Sequence, residues 1–305
     1  MNNKVEQLIS NIERVIIGKR PVIWRLVCAM IAGGHVLLED VPGVGKTLLA
    51  QTLAKSVSGS FGRIQFTPDL MPSDVIGYTA IDMTSGKGEY RAGAAMVNFL
   101  LADEINRTSP KVQSALLEAM EEKQISVDGI THALPVPFMT IATQNPIETF
   151  GTYHLPEAQM DRFLMRLSIG YPDRAAEMSM LDVMPQNAEV QAVISLNELM
   201  ELQAQAGNIT VDEKVKAYIL SLVNATRNNP QLIRLGASPR GSIAMYRAAQ
   251  AMALMNDRAY VTVDDVRAVS VPVLSHRIVP AGGKQDMAFS EQLITDIVAG
   301  MPVPM

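Results

Sequence analysis

A short glycine-rich stretch that ends in lysine and threonine could hold phosphate groups. It reads Asp40-Val41-Pro42-Gly43-Val44-Gly45-Lys46-Thr47 and follows a short apolar run. Glycines let a loop wrap closely around phosphate oxygens, and backbone N–H groups at the start of a helix bind anions. Lys46 would place its charge between the β- and γ-phosphates, and Thr47 would offer a hydroxyl to Mg²⁺. The alternative is a glycine-rich turn with a solvated lysine, but a helical pattern directly after the loop favours the phosphate site.

The stretch departs from the full phosphate-loop pattern at one position. That pattern has a glycine where this chain has Asp40. The change removes one permissive backbone position, whereas Gly43 and Gly45 remain where the chain must approach phosphate. We therefore still expect a nucleotide to bind here.

Two adjacent carboxylates, Asp103 and Glu104, end the apolar run that begins at Phe99. At the ligand-binding edge of a parallel sheet, Asp103 would meet the water shell of Mg²⁺. Glu104 would polarise the attacking water as a general base. We expect the two side chains to point to opposite sides of an extended chain. The alternative is a helix N-cap with an exposed acid, but the order of the two motifs favours a hydrolytic pair.

The elements around these motifs predict an α/β fold with a parallel sheet sandwiched by helices. The sequence predicts strands at 35–39, 63–66, 97–102, 138–143 and 163–169, and continuous apolar runs such as that at 99–102 fit strands buried on both faces. Helical periodicity predicts two helices within 4–31, separated at Gly18, and further helices at 47–57 and 110–122. Residues 67–96 and a hairpin within 123–137 do not fit this layout, so we expect both to be insertions on one edge of the core.

The pattern changes after about residue 174 from alternating elements to helices without a strong strand signal. Helical patterns occupy 174–185, 195–206, 212–229, 239–257 and 287–299, and Thr262 with Asp265 has the spacing of a capping box. We predict a nucleotide-binding core at 1–175, a linker at 176–189 and a smaller all-helical lid domain at 190–305.

Three segments together resemble the MoxR family of AAA+ ATPases. The segments are the phosphate loop at 38–47, the acid pair with its continuation at 102–120, and the residues at 142–146 with those at 155–163. The resemblance is strong over about 15–175 and thinner beyond, where it rests mainly on Ser238-Pro239-Arg240. It implies an AAA+ core with a helical lid, in which 67–96 and 123–137 correspond to the helix-2 and pre-sensor insertions.

The resemblance also implies roles for individual residues. Asn145 resembles the sensor that positions the hydrolytic water, although a turn asparagine before Pro146 is the alternative. Arg162 resembles the arginine finger that reaches a neighbouring subunit's ATP, with a surface ion pair to Asp161 or Glu157 as the alternative. Arg240 resembles the second sensor on the lid, close to the γ-phosphate, and Arg107 is a weaker match to the subunit interface. The residues expected to contact the nucleotide are Ile17, Gly18, Val41, Pro42, Gly43, Val44, Gly45, Lys46, Thr47 and Leu48.

An arginine finger that acts on a neighbour requires an oligomer, and the resemblance implies a homo-oligomeric ring, usually a hexamer. The leading hypothesis is a chaperone-like ATPase that uses ATP and Mg²⁺ to remodel a client or to assist metal or cofactor insertion. Partners with a von Willebrand factor A-type domain are also implied. The alternatives are a magnesium-chelatase-type motor subunit, a nucleotide-gated scaffold with little turnover, and a DNA motor.

Composition narrows these choices. The net charge of −5, from 26 basic and 31 acidic residues, does not favour bulk capture of nucleic acid, and the hairpin at 124–134 carries no Lys or Arg. Cys28 is the single cysteine, so no disulfide can form within the chain, and the four histidines show no metal-ligand spacing. The N-terminus lacks the apolar core of a signal peptide and no apolar run is long enough to cross a bilayer, so we expect a cytoplasmic protein.

Overall fold

The fold is built around a five-stranded parallel sheet, in a computed structural model that describes residues 1–81, 83, 86–146, 151–183, 190–283 and 287–304. The sheet strands are β1 (Val36–Glu39), β2 (Phe61–Gln65), β5 (Phe99–Asp103), β8 (Met139–Gln144) and β9 (Met165–Leu167). Their order across the sheet is β2-β5-β8-β1-β9, and every neighbouring pair is parallel. The sequence therefore predicted all five strands, with ends displaced by a few residues.

Helices cover both faces of this sheet, which explains why a central strand such as β5 is a continuous apolar run. One face, with Leu38 and Leu101, packs in a core cluster with α1 (Asn3–Glu13), α2 (Arg20–Ile31) and α3 (Lys46–Ser56). The other face, with Leu37 and Leu100, packs against α4 (Pro72–Ile76) and α5 (Pro110–Glu122). Every residue of β5 is buried, as expected for a central strand between two helical layers.

Two antiparallel hairpins lie outside the sheet, in the segments expected to be insertions. The first pairs β3 (Tyr78–Ile81) with β4 (Gly88–Arg91), and the second pairs β6 (Gln124–Val127) with β7 (Ile130–Ala133). The rings of Tyr90 and His132 stack with centroids 3.8 Å apart, so the hairpins are in direct contact. The two insertions are therefore neighbours on one side of the core.

Helices dominate the C-terminal part of the chain, as predicted. They are α6 (Glu157–Met160), α7 (Arg174–Val183), α8 (Leu196–Gly207), α9 (Glu213–Arg227), α10 (Pro239–Met255), α11 (Val263–Leu274) and α12 (Met287–Gly300). The capping box is present at the start of α11. The Thr262 hydroxyl accepts from the backbone N–H of Asp265, and the Asp265 carboxylate accepts from the backbone N–H of Thr262. Helix α7 occupies the first part of the predicted linker at 176–189, of which residues 184–189 lie outside the described residues.

The sequence did not predict one feature of this helical region, a short antiparallel ladder. It pairs β10 (Ile233–Leu235) with β11 (Val279–Pro280). Strands of three and two residues are too short to give a periodic signal. Within the described residues, no helix combines the length and apolar character that a membrane span requires.

Candidate functional site

The sheet register brings the phosphate-loop segment and the acid pair to the same edge. Strands β1, β5 and β8 are parallel, so their carboxyl ends lie together. The backbone N–H of Asp40, directly after β1, donates to the carbonyl of Gln144 at the end of β8 (3.1 Å). Strand β8 separates β1 from β5, which ends at Asp103. The loop and the carboxylates therefore flank the end of β8, where Asn145 follows.

The phosphate loop forms an open cradle at the start of α3. Gly43 and Gly45 have φ angles of 85° and 90°, which glycine adopts without strain. A Cβ built on either glycine meets no atom within 4 Å, so the space beside the loop is open. No side chain caps α3, whose first N–H groups thus remain available for an anion. These features fit phosphate binding.

Lys46, the first residue of α3, currently contacts the loop itself. Its Nζ donates to the backbone carbonyl of Asp40 (2.8 Å). Burial lowers the pKa of Lys46, and the nearby carboxylates of Asp40, Asp103 and Glu104 oppose this effect. The side chain is half-buried with Thr47 beside it. A phosphate in the cradle would replace the carbonyl as the partner of this ammonium.

The acid pair is held by a residue that sequence reasoning missed, Thr143 of β8. The Thr143 hydroxyl donates to Asp103 Oδ1 (2.6 Å) and accepts from the backbone N–H of Glu104 (2.8 Å). Glu104 has φ 57° and ψ 51°, a left-handed conformation rather than the extended one we expected. The hydroxyl acceptor stabilises this turn of the chain. The two acids are thus separated by a backbone turn and not by strand alternation.

Strand β2 contacts the same two acids from the other side. Arg63 donates to Asp103 Oδ2 (2.8 Å), and Gln65 donates from Nε2 to Glu104 Oε2 (2.6 Å). Arg107 also donates to Glu104 Oε2 (3.0 Å). Arg107, which the resemblance placed at a subunit interface, therefore contacts the acid pair of its own chain. A carboxylate has about four lone-pair sites, so these bonds leave room on Asp103 for water ligands of a metal.

For the ATP hydrolysis that the sequence predicts, we expect Thr143→Val to lower kcat by about tenfold or more with little change in KM. The substitution keeps the shape but leaves the Glu104 N–H without its acceptor, at a cost of roughly 1–3 kcal/mol in positioning. Steady-state phosphate release tests this, and Thr143→Ser, which keeps the hydroxyl, is the matched control. Equal kcat for the Val and Ser variants would contradict the positioning role.

The predicted adenine segment packs against the chain that follows β9. Gly18 has a φ of 73°, and a Cβ built there would lie 2.7 Å from the Cβ of Ala176 in α7. Lys19 Nζ donates to the carbonyl of Tyr171 (2.6 Å). Ile17 is half-buried beside Gly18. A larger residue at position 18 would push α7 away from this segment.

Asn145 lies one residue beyond β8 and is buried. It lines a cavity of about 290 Å³ together with Glu39, Gln144, Ser275 and His276. Burial lowers the pKa of His276, as does the charge of Arg277. Asn145 thus follows the strand that lies between the phosphate loop and the acid pair.

Arg162 and Arg240 lie together and are not near their own chain's phosphate loop. Arg162 Nε donates to Glu121 Oε2 (2.6 Å), and Arg240 donates to the other oxygen of Glu121. The hydrogen bond from Arg162 lowers the pKa of Glu121. Neither Asp161 nor Glu157, the alternative partners considered for Arg162, forms this ion pair. Both arginines therefore share one carboxylate.

This arginine pair lies at the amino-terminal edge of the sheet. The N–H of Leu164 donates to the carbonyl of His35, directly before β1 (2.8 Å). Glu121, Arg162, Arg240 and His35 line one cavity of about 230 Å³. The phosphate loop follows the other end of β1, and four strand residues span roughly 13 Å. The two arginines face a surface that a neighbouring molecule could reach.

Buried contacts fix the segment that carries Arg162. Arg277 donates to Asp161 Oδ1 (2.8 Å), and Ser238, which caps the helix of Arg240, donates to Asp161 Oδ2 (2.5 Å). Burial lowers the pKa of Arg277 to about 10, while Asp161 opposes this effect. Asp161 therefore ties the Arg162 segment to two elements of the lid. Sequence reasoning considered Asp161 only as a surface ion-pair partner.

His35 closes the same cavity from the sheet side. Its Nδ1 accepts from the N–H of Thr140 (2.9 Å), and its Nε2 bonds the carbonyl of Met120 (3.1 Å), next to Glu121. Burial lowers the pKa of His35 to about 4, so the ring is neutral at pH 7. A structural role explains this histidine, and the described residues contain no cluster of three or more His, Cys, Asp or Glu arranged for a metal.

Two models of known protein families match parts of this chain. Residues 35–165 match the model of an ATPase family associated with various cellular activities (AAA), and residues 224–297 match that of an AAA lid domain. The first match covers the phosphate loop, the acid pair and Arg162, and the second covers Arg240.

Individual relatives are similar over nearly the whole chain. An uncharacterized protein of Bacillus subtilis, YeaC, is 46% identical over 97% of this chain and 94% of its own length. Chaperone MoxR1 of Mycobacterium tuberculosis is 43% identical over 90% of this chain and 75% of its own length. A crystal structure of a candidate ATPase from Cytophaga hutchinsonii superposes with a TM-score of 0.90 at 40% identity, covering 99% of this chain and 96% of that one.

Proposed function

Because this chain belongs to the MoxR family of AAA+ ATPases, we propose that it hydrolyses ATP with Mg²⁺ and uses the energy to remodel client proteins. The observation that carries the proposal is the shared sheet edge, where an open amide cradle and a pair of carboxylates flank the end of β8. If residues 40–47 were only a glycine-rich turn with a solvated lysine, nothing would require the acid pair to lie at the same edge of the sheet.

The residues at the edge divide the chemistry among them. The loop N–H groups and Lys46 hold the β- and γ-phosphates, and Glu104 accepts a proton from the attacking water. The Thr47 hydroxyl and, through water, Asp103 hold the metal. When bound there, Mg²⁺ would supply positive charge to balance the charge that develops on the phosphates. Asn145 hydrogen-bonds the attacking water or the γ-phosphate.

Arg162 and Arg240 act on the nucleotide of a neighbouring subunit. They lie at the opposite edge of the sheet from the phosphate loop of their own chain. A head-to-tail contact between subunits brings this edge to the phosphate loop of the next subunit, so that the arginines of one chain complete the nucleotide site of the other. Repetition of such a heterologous contact closes a ring, for which six subunits is our proposal. The neighbour's phosphates replace Glu121 as the partner of both arginines.

The client and partner of the ring are inferred from the family alone. We propose a chaperone-like role in which a protein with a von Willebrand factor A-type domain cooperates with the ring in metal or cofactor insertion. A scaffold with little turnover is disfavoured by the ordered acid pair. A DNA motor is disfavoured by the β6–β7 hairpin, which has no Lys or Arg.

We expect the wild-type protein to release phosphate from ATP only when Mg²⁺ is present, and Lys46→Ala to release none above background. Removal of the ammonium leaves the terminal phosphates without their main counter-charge. Lys55→Ala is the matched control because Lys55 is an exposed lysine of the same helix, so it should keep wild-type rates. A folded wild-type protein that neither binds nor hydrolyses ATP would overturn the proposal.

A further inference from the structure

Asp40 has a structural environment that a tolerated replacement for glycine does not explain. Its side chain is buried, with 7% of the residue exposed. One oxygen, Oδ2, accepts from the Ser168 hydroxyl (3.2 Å), from the Gly170 N–H (3.1 Å) and from the Ile169 N–H. Three donors from one segment thus converge on the first residue of the phosphate loop.

The segment that Asp40 holds is the exit from the sheet. Residues 168–173 connect β9 to α7, and α7 leads towards the lid helices. Gly170 has a φ of 63°, so the chain turns here in a conformation that favours glycine. The carboxylate therefore fixes the point at which the chain leaves the sheet.

The same segment is also held by the predicted adenine side of the nucleotide site. Lys19 donates to the Tyr171 carbonyl (2.6 Å), and Gly18 lies against Ala176. One connecting segment is thus anchored to both stretches of chain that are expected to bind the nucleotide. A displacement of either the phosphate loop or the segment at Gly18–Lys19 would therefore shift the start of α7.

The backbone of Asp40 connects these side-chain contacts to Lys46, the residue proposed to bind phosphate. Its carbonyl accepts from Lys46 Nζ (2.8 Å), and its N–H donates to Gln144 at the end of β8. When Lys46 turns to a phosphate, the carbonyl of Asp40 loses this partner. The carboxylate of the same residue transmits any resulting shift to residues 168–170.

We propose that Asp40 is a positioning residue that couples occupancy of the phosphate loop to the segment leading to the lid. The inference rests on the proposed nucleotide site and goes beyond it, because it assigns a purpose to the departure from the glycine pattern. A glycine at this position would complete the usual motif but would leave the N–H groups of Ile169 and Gly170 without an acceptor.

The decisive variant is Asp40→Gly, which restores the usual phosphate-loop pattern. If Asp40 were only tolerated, this variant would match or exceed the wild-type rate. We expect kcat to fall about tenfold or more, with a smaller change in KM, because residues 168–170 lose the charge-assisted hydrogen bonds that fix their position. Asp40→Asn keeps the shape but removes the negative charge and replaces one of the two acceptor oxygens with an NH2 donor, so kcat should again fall more than KM changes.

Two further variants separate coupling from general loosening. Ser168→Ala removes one of the donors without altering the loop and should give an intermediate loss of kcat. Asp173→Asn is the matched control, because Asp173 accepts from the Ala176 N–H at the start of α7 (2.8 Å) and asparagine caps helices equally well. It should retain wild-type kcat and KM.

The change in hydrogen exchange at residues 168–176 on binding Mg·ADP tests the coupling separately from any loss of stability. We expect Mg·ADP to change protection of this segment in the wild type and in Asp173→Asn, and to leave it unchanged in Asp40→Gly and Asp40→Asn. Wild-type kcat in Asp40→Gly, or nucleotide-dependent protection that persists in it, would overturn the coupling.

The melting temperature and calorimetric binding of Mg·ADP complete the test. If Asp40→Gly fails to fold, the isosteric Asp40→Asn and the mild Ser168→Ala variants decide the question, and wild-type kinetics in both would overturn the inference. A wild-type protein that binds no nucleotide would contradict the proposed function itself. A wild type that binds and hydrolyses ATP alongside an unaffected Asp40→Gly would sink the coupling alone.

Discussion

Glu104→Gln should bind Mg·ATP as well as the wild type does and hydrolyse it about a thousandfold more slowly. General-base catalysis contributes roughly 10²–10⁴ in rate, and glutamine cannot accept the proton of the attacking water. In the wild type, Gln65 donates to Glu104 Oε2 (2.6 Å). The amide oxygen of the variant glutamine can still accept this bond, so the local contact is kept. Calorimetric binding and single-turnover hydrolysis measure the two quantities separately.

Glu118→Gln provides the matched control for this substitution. Glu118 is an exposed acid on α5 that has no role in the proposed site, so its amide variant should keep the wild-type rate. An unchanged rate in Glu104→Gln would remove the general base from the account and favour the nucleotide-gated scaffold. A loss of binding in the same variant would show that the carboxylate holds the nucleotide instead.

The second large effect concerns the arginines at the opposite edge. Arg162→Ala should bind ATP normally and lose roughly 10³ or more in rate, the range for an arginine finger supplied by a neighbour. Arg240→Ala should behave in the same direction, because both guanidinium groups bond Glu121 and lie at one surface. Phosphate release by the purified variants measures the loss.

Mixed rings test whether the arginines act between subunits. Arg162→Ala subunits keep Glu104, and Glu104→Gln subunits keep Arg162, so a mixture assembles some intact sites and should recover activity. A mixture of Lys46→Ala with Glu104→Gln is the control: every site needs both residues from one chain, so none is restored. No recovery in the first mixture would count against Arg162 as the finger.

The sequence predicted those parts of the site that depend on local pattern. Apolar runs located central strands such as β5, and glycine spacing located the loop, because burial on both faces and tight backbone turns constrain residue types locally. The parallel sheet then brings strand ends together wherever they occur in the chain. The acid pair and Asn145 were therefore expected at the loop's edge of the sheet, and they lie there.

What the sequence could not predict depends on contacts between distant segments. Thr143 and Asp103 are 40 residues apart, and Asp40 and Ile169 are 129 apart. Side-chain hydrogen bonds of this kind have no periodicity, and the left-handed turn at Glu104 follows from one of them. Even so, a buried-strand threonine two residues before Asn145 and an aspartate in a glycine position were visible signals.

The position of Arg240 was likewise set by packing and not by local pattern. The Ser238-Pro239-Arg240 motif predicted a helix start, and α10 begins there, capped by Ser238. Its placement beside Arg162 depends on Asp161, which bonds both Ser238 and Arg277. No sequence pattern relates these residues, so the sharing of Glu121 by two arginines emerged only from the fold.

A structure of the Glu104→Gln assembly with Mg·ATP tests the central claim most directly. We predict that the terminal phosphates lie in the cradle at Gly43–Thr47, with Asp103 and residue 104 facing the γ-phosphate. Arg162 of the adjacent subunit should contact that phosphate in place of Glu121. A nucleotide bound away from the cradle, or carboxylates that face away from its γ-phosphate, would contradict the account.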